Sequence, residues 1–304
     1  MMSSEKIFYL FYFILNFLSY ILVIISIFLL NISSSYLYHC VQLTSSCLSL
    51  LILLKIRNKP GYLEKDKNQS EEQLPKEKDS SSSNEQNPNI NLEATPIMYI
   101  NLMPDNGCEI CHILKMPLRS HHCEKCERCV KGFDHHCWIL AGCIGENNRF
   151  AFIIFLLFQT ISIICSAIGI EKIMRRQNIE GIIYILTLLF SFMCLFGIIF
   201  FWIFIYHLFL LFTNQTTYEL FNEDQCPYLA IFTLERNKIL AQRGIIVNNN
   251  FRFRPFDVGF KRNLSFYFKK MCNKRNKIKW EDIYFENLKT NRINLNCCDK
   301  AILN

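Results

Sequence analysis

Residues 108–150 read CEICHILKMPLRSHHCEKCERCVKGFDHHCWILAGCIGENNRF. Cys108 and Cys111 make one C-x2-C unit, Cys123, Cys126 and Cys129 make C-x2-C-x2-C, and Cys137 and Cys143 follow. With the pairs His121–His122 and His135–His136 interleaved, these cysteines offer eleven potential ligands within 36 residues. A single C-x2-C would be weak, and a secreted disulfide framework has no use for interleaved histidine. A thiolate/imidazole zinc site does, so the segment reads as metal-bound and on the reducing, cytosolic side. Structural zinc takes four ligands in a closed set, so two ions would consume eight and leave three over. Either the surplus is spare, or a remaining Cys beside a remaining His is a nucleophile with its base. The run Asp134-His135-His136-Cys137 suits the second reading. Only a thiolate attacks well, an imidazole can take its proton, and a carboxylate on the other ring nitrogen fixes the tautomer. Spacing alone leaves open whether those side chains converge.

On either side of this cluster the chain is apolar. Of its 304 residues 51% are hydrophobic and 19% charged, against about a quarter charged in soluble domains. The apolar residues lie in blocks: 7–30 and 150–170 carry no charge, 36–54 is interrupted by His39, Gln42 and several serines, and 182–212 is the longest. A bilayer core of ~30 Å needs about 20 apolar residues at 1.5 Å each, in helical form so that every backbone group is bonded. A soluble monomer is excluded. The first block exceeds the roughly 7–15 residues of a signal-peptide core and lacks a small-residue cleavage site.

Four helical spans are expected, the first two joined through 31–35. Of 33 Lys and Arg, 13 fall in 55–149 and 16 in 213–304, while 171–181 holds three. The positive-inside rule then puts the cysteine-rich segment and both termini in the cytosol. Residues 64–95, rich in Ser, Asn, Gln and charge, cannot bury enough surface to order, and 58–95 is expected to be a disordered linker. No internal repeat is evident. The basic aromatic stretch 251–279 is expected to lie on anionic headgroups rather than to bind nucleic acid. His39 and His207 read as packing or interhelical hydrogen bonds, and Cys40, Cys47, Cys165 and Cys194 as small apolar residues.

The cluster resembles that of the DHHC-type protein S-acyltransferases, or palmitoyltransferases. Arg119, His122-Cys123, C-x2-C-x2-C, the Asp-His-His-Cys run and Cys143 all match, with Asn147 or Asn148 and Phe150 suiting the continuation. Thr216-Thr217-Tyr218-Glu219 resembles the family's T-T-x-E motif, and Phe256-Asp257-Val258-Gly259 with Asn263 its aromatic/Asn motif. Two departures stand out: Trp138 directly follows Cys137 where Pro-Trp is usual, and the stretch from Cys111 to His122 is one residue longer.

The resemblance implies an all-α polytopic membrane protein whose zinc-binding cysteine-rich domain (96–149) lies between helices 2 and 3. Transmembrane pairs would occupy 1–57 and 150–212, and a cytosolic tail 213–304. It implies one structural zinc on Cys108, Cys111, His122 and Cys129, and another on Cys123, Cys126, His136 and Cys143. Cys137 would be the acylated nucleophile, His135 its base and Asp134 the orienting carboxylate. The donor would be a long-chain acyl-CoA such as palmitoyl-CoA. The acceptors would be cysteines of mostly membrane-associated proteins, in the lipid setting of endoplasmic reticulum or Golgi membranes, without nucleic acid. Thr216, Thr217 and Glu219 would brace the domain against a helix end. The competing expectation is a catalytically inactive zinc-braced membrane scaffold or adaptor, which would have no need of Cys137 and His135 beyond eight ligands.

Overall fold

The computed structural model describes residues 10, 12–14, 16–17, 20–21, 36–64, 107–175, 180–241, 253–272 and 278–289. Most of the first expected span (7–30) and linker residues 65–95 lie outside these. Among the described residues, three helices are long and apolar enough to cross a membrane: α1 Tyr36–Ile56, α2 Arg149–Met174 and α3 Glu180–Phe212. The last two correspond to the expected spans 150–170 and 182–212, with α2 starting one residue earlier and running four further.

The polar residues that interrupt α1 are what fasten it to α2. Gln42 Nε2 donates to Ser166 Oγ at 2.8 Å, Ser49 Oγ donates to Gln159 Oε1 at 2.9 Å, and the Ser46 and Ser162 hydroxyls pair. Tyr12 OH donates to the same Gln159 oxygen at 2.9 Å. Helices in lipid gain little from apolar contact alone, so small and hydrogen-bonding residues mark their interfaces. α3 packs on the other side of α2.

Between α1 and α2 the chain forms two antiparallel hairpins. β1 His121–Cys123 pairs with β2 Arg128–Val130, and β3 His135–Cys137 pairs with β4 Gly142–Ile144. Their registers are His122 opposite Cys129 and His136 opposite Cys143. Each hairpin reads His-His-Cys, then Cys followed by Val or Ile, and each turn has a left-handed residue just before its second strand: Glu127 (φ 52°) and Ala141 (φ 47°). The segment is therefore a duplicated unit, contrary to the expectation of no repeat. Different turn residues hide the duplication in the sequence, while the ligand positions keep it. Residues 58–64, expected in the linker, are ordered against the first unit. Leu63 N donates to Cys129 O at 2.9 Å, Lys131 N donates to Gly61 O at 2.9 Å, and the Arg128 guanidinium sits 4.0 Å from the Tyr62 ring centre.

After α3 come the short helix α4 Thr217–Phe221, a 3₁₀ turn, α5 Pro227–Ala241, α6 Phe260–Cys272 and α7 Trp280–Lys289. A capping box starts α4: Thr216 Oγ1 accepts from Glu219 N, and Glu219 Oε2 accepts from Thr216 N. These elements enclose a second core around Phe232, Phe256, Tyr267, Trp280 and Tyr284. The expectation that 251–279 lies on headgroups is thus corrected for its aromatic residues: Phe256 and Tyr267 turn inward, leaving Phe260 and Phe268 exposed.

What they turn toward is Arg119. Its guanidinium makes a two-pronged ion pair with Glu219 (2.8 and 2.7 Å), donates to Asn214, and is held between the rings of Phe256 (4.3 Å) and Trp280 (4.5 Å). Arg119 and Glu219 are both buried. Asn263, fully buried, donates to Phe212 O at 2.6 Å and accepts from Val258 N at 3.1 Å, tying the tail to the end of α3. Removing one member of a buried charged pair strands the other, at a cost of about 3–5 kcal/mol. Glu219→Gln and Arg119→Lys should therefore lower the thermal midpoint of the purified chain, Arg119→Lys because an ammonium cannot reproduce the planar fork. An unchanged midpoint in both would show that the pair is not what joins the hairpins to the tail.

Candidate active site and metal clusters

Two tetrads form where the hairpins and the preceding turns meet: Cys108, Cys111, His122 and Cys129, and Cys123, Cys126, His136 and Cys143. His122 Nδ1 lies 3.5, 3.3 and 3.6 Å from the sulfurs of Cys108, Cys111 and Cys129. His136 Nδ1 lies 3.4, 3.4 and 3.7 Å from those of Cys123, Cys126 and Cys143. With zinc–sulfur and zinc–nitrogen bonds near 2.3 and 2.0 Å, the edge of a tetrahedron of ligands is about 3.6 Å. Both sets of donors therefore suit a four-coordinate ion of that size, with no position left for water.

The strands explain which histidine goes where. Side chains alternate across a strand, so neighbours in β1 and β3 face opposite sides. In β1, His122 turns to the first tetrad and Cys123 to the second. His121 stacks between Tyr218 (ring centres 4.2 Å apart) and Phe133 (5.1 Å). In β3, His136 turns to the second tetrad, and His135 and Cys137 share the other face.

That other face brings His135 and Cys137 together with Asp134. His135 Nδ1 and Asp134 Oδ2 are 2.8 Å apart, and the imidazole also interacts with the Cys137 side chain. Asp134 is fully buried, accepts hydrogen bonds from Thr217 N at 2.9 Å and Thr217 Oγ1 at 3.0 Å, and is ion-paired with Arg149, whose Nε lies 3.6 Å away. Burial works against ionising this carboxyl, but the Arg149 guanidinium and the His135 hydrogen bond hold it well below the usual carboxylate range. Burial likewise disfavours the charged imidazole, and the bonds to Asp134 and Cys137 outweigh it, pushing the His135 pKa up to about 10. The arrangement holds a protonated imidazole close to the Cys137 sulfur. Cys137 itself is buried, packed with Leu53, Ile56, Leu140 and Phe152 at the junction of α1, α2 and the second hairpin.

Three contributors were not singled out from the sequence for this role. Arg149, the first residue of α2, is buried and reaches Asp134, Tyr267 OH (3.0 Å) and Gln215 O. Thr217, expected only to brace, is bonded to the Asp134 carboxylate. His207, expected to pack within its span, lies with Nδ1 3.8 Å from Asp134 Oδ2 and its ring centre 5.3 Å from that of His135. No local signal could have found the pairings, because each joins residues 15 to 83 positions apart. Asn148 fixes the junction: its amide donates to Ile56 O and Cys143 O, and its oxygen accepts from Gly145 N at 2.8 Å. Trp138, next to Cys137 in the chain, is 41% exposed, with Lys125 Nζ 3.7 Å from its ring centre.

Residues 101–224 match the family model described as DHHC palmitoyltransferase. Over those residues the chain is similar to the DHHC palmitoyltransferase family. The matched segment includes both tetrads, the Asp134–His135–Cys137 face, α2, α3 and the T-T-x-E helix. Among curated proteins, the chain is 32% identical over 170 residues to the putative ZDHHC-type palmitoyltransferase 7 of Dictyostelium discoideum, covering 53% of this chain and 34% of that one. It is 35% identical over 136 residues to palmitoyltransferase ERF2 of Kluyveromyces lactis, covering 43% and 37%. Against protein S-acyltransferase 8 of Arabidopsis thaliana it is 29% identical over 186 residues, covering 56% and 44%. The chain thus spans about a third to under half of the length of these relatives.

The alternation of β1 makes a direct test possible. His122→Ala should lower bound metal from about two ions per chain toward one. His121→Ala, which removes only a stacked ring, should keep both. Metal analysis of the two purified variants decides the matter, and the reverse pattern would mean that the loop after Cys111 presents the doublet the other way round.

Proposed function

We propose that this protein is an acyl-CoA-dependent protein-cysteine S-acyltransferase working through an acyl-enzyme on Cys137. The observation that carries the reading is that His135 and Cys137 share one face of β3, with Asp134 Oδ2 2.8 Å from Nδ1 of that imidazole. The Cys137 thiolate attacks the thioester carbonyl of a long-chain acyl-CoA. The carbon–sulfur bond to CoA breaks, and the departing thiolate takes its proton from the His135 imidazolium. In the second half, His135 accepts the proton of an incoming protein cysteine, whose sulfur displaces Cys137 from the acyl group. A thioester is exchanged for a thioester in each half, so the two substrates need not be bound together. Asp134, fixed by Thr217 and Arg149, keeps the imidazole in the reacting tautomer throughout.

Two zinc ions, one per tetrad, would supply rigidity rather than Lewis acidity, since each closed set of four leaves no open position. The apolar setting of Cys137 suits a nucleophile at the membrane boundary, and an acyl chain would run between helices. A cavity of about 540 Å³ between the distal parts of α2 and α3, lined by Ile164, Ala167, Phe190, Met193 and Phe201, has the apolar character such a chain requires. Four spans, cytosolic placement of the hairpins and both termini, and residence in endoplasmic reticulum or Golgi membranes complete the proposal. It draws support from the three apolar helices and the concentration of Lys and Arg in 55–149 and 213–304.

Incubating the purified chain with labelled palmitoyl-CoA should give a hydroxylamine-labile adduct that Cys137→Ser abolishes. His135→Ala, which removes no ligand from either tetrad, should keep two metal ions and slow loading by about 10²–10⁴. A smaller effect, about tenfold, is expected of Thr217→Val, which deletes one hydrogen bond to Asp134 worth about 1.5 kcal/mol. Undiminished labelling and transfer by Cys137→Ser would overturn the mechanism.

A further inference from the structure

A second cavity, of about 530 Å³, takes no part in the chemistry above. It lies where the end of α1, the start of α2 and α6 meet, and none of its lining comes from 134–143 or from α3. Its two ends differ in character. Ile52 of α1 and Ala151 and Ile154 of α2 make one end apolar, and the neighbouring Leu51 and Leu54 are exposed, so this end is continuous with the lipid-facing surface of α1. Lys55, Asn58, Lys59 and Asn147 make the other end polar, and all four are exposed.

The charge at the polar end is one-sided. Its carboxylate, Glu146, is buried and already bound by Lys270, by Trp280 Nε1 at 2.8 Å and by Lys131 at 3.6 Å. Among the described residues, Lys55 and Lys59 have no carboxylate within ion-pair distance. They stand four positions apart where α1 runs out, so their ammonium groups flank the mouth of the groove. A groove of this volume, apolar toward the bilayer and doubly cationic at headgroup level, is the complement of an anionic amphiphile. We propose that it is a binding site for an anionic glycerophospholipid. The phosphate would sit between Lys55 and Lys59, and an acyl chain would lie along Ile52, Ala151 and Ile154. Bound there, the lipid would bridge α1 and α2 beside Asn148, the residue that already ties both to the second hairpin.

The test uses the purified chain in mixed micelles and reads retained lipid by native mass spectrometry, which is independent of acyl transfer. Dioleoyl phosphatidylglycerol should be retained at one molecule per chain and should raise the thermal midpoint. Dioleoyl phosphatidylcholine should do neither, and glycerophosphoglycerol, the headgroup without chains, should leave the midpoint unmoved. Lys55→Gln/Lys59→Gln should lower the preference for phosphatidylglycerol about tenfold. Lys261→Gln/Lys269→Gln, which removes the same charge from exposed α6, should leave it intact. Free CoA should not displace the lipid. Equal retention of the two lipids, an unchanged preference in Lys55→Gln/Lys59→Gln, or loss of the preference in the α6 variant would overturn the site. Displacement by CoA would also overturn it, by making the groove part of the acyl-donor site.

Discussion

A β-strand cannot point two consecutive side chains the same way, and the site is built on that constraint. In β3 it separates His136, which faces the second tetrad, from His135 and Cys137 on the opposite face, where His135 meets Asp134. Three consecutive residues thereby serve two unrelated tasks without competing for space. The tetrad on one side anchors the strand, and the strand's pleat then fixes the imidazole and thiol on the other. The backbone between them is one residue long, so little slack remains to be lost. Rigid support of this kind keeps reacting groups within the narrow tolerance that catalysis demands.

The hairpins alone would still leave the site incomplete. Asp134 receives its hydrogen bonds from Thr217 at the start of α4 and stands near Arg149 at the start of α2 and His207 near the end of α3. A buried carboxylate is costly unless paired and hydrogen-bonded, so its ionisation depends on helices from both sides of the cluster. Arg119 does the same in the opposite direction, carrying a charge from the cysteine-rich segment into the aromatic core of the tail. These two buried charges, one of each sign, cross the same interface.

Much of this was legible from residues alone, for a physical reason: metal ligation imposes local spacing, and spacing is what a sequence records. The grouping into tetrads, the surplus of Cys137 and His135, and the apolar length of 150–170 and 182–212 could all be read in that way. The hairpins could not, because three-residue strands whose positions are set by ligands carry no hydrophobic alternation. The repeat was hidden for a related reason, since four ligand positions per unit persist while the turns between them differ. Gln42 and the α1 serines looked like blemishes in a span, whereas paired with Gln159, Ser162 and Ser166 they form its seam. Arg149, Thr217 and His207 act across long sequence separations, and the inward turn of Phe256 becomes intelligible only once Arg119 is beside it.

The cage around Arg119 also bears on the order in which the molecule can be finished. Its members are Arg119, Asn214, Glu219, Phe256 and Trp280, and both α2 and α3 lie in the chain between the first and the rest. During synthesis the hairpins emerge with an arginine whose partners do not yet exist, and with Asp134 still lacking Thr217, Arg149 and His207. Two membrane helices must be made before Glu219 can arrive, and some sixty further residues before Trp280 closes the second face of the guanidinium. The tetrads of a nascent chain can thus come together while Asp134 still lacks its partners. Coupling the last aromatic residue to the first buried cation delays full assembly of the site until the tail has been made.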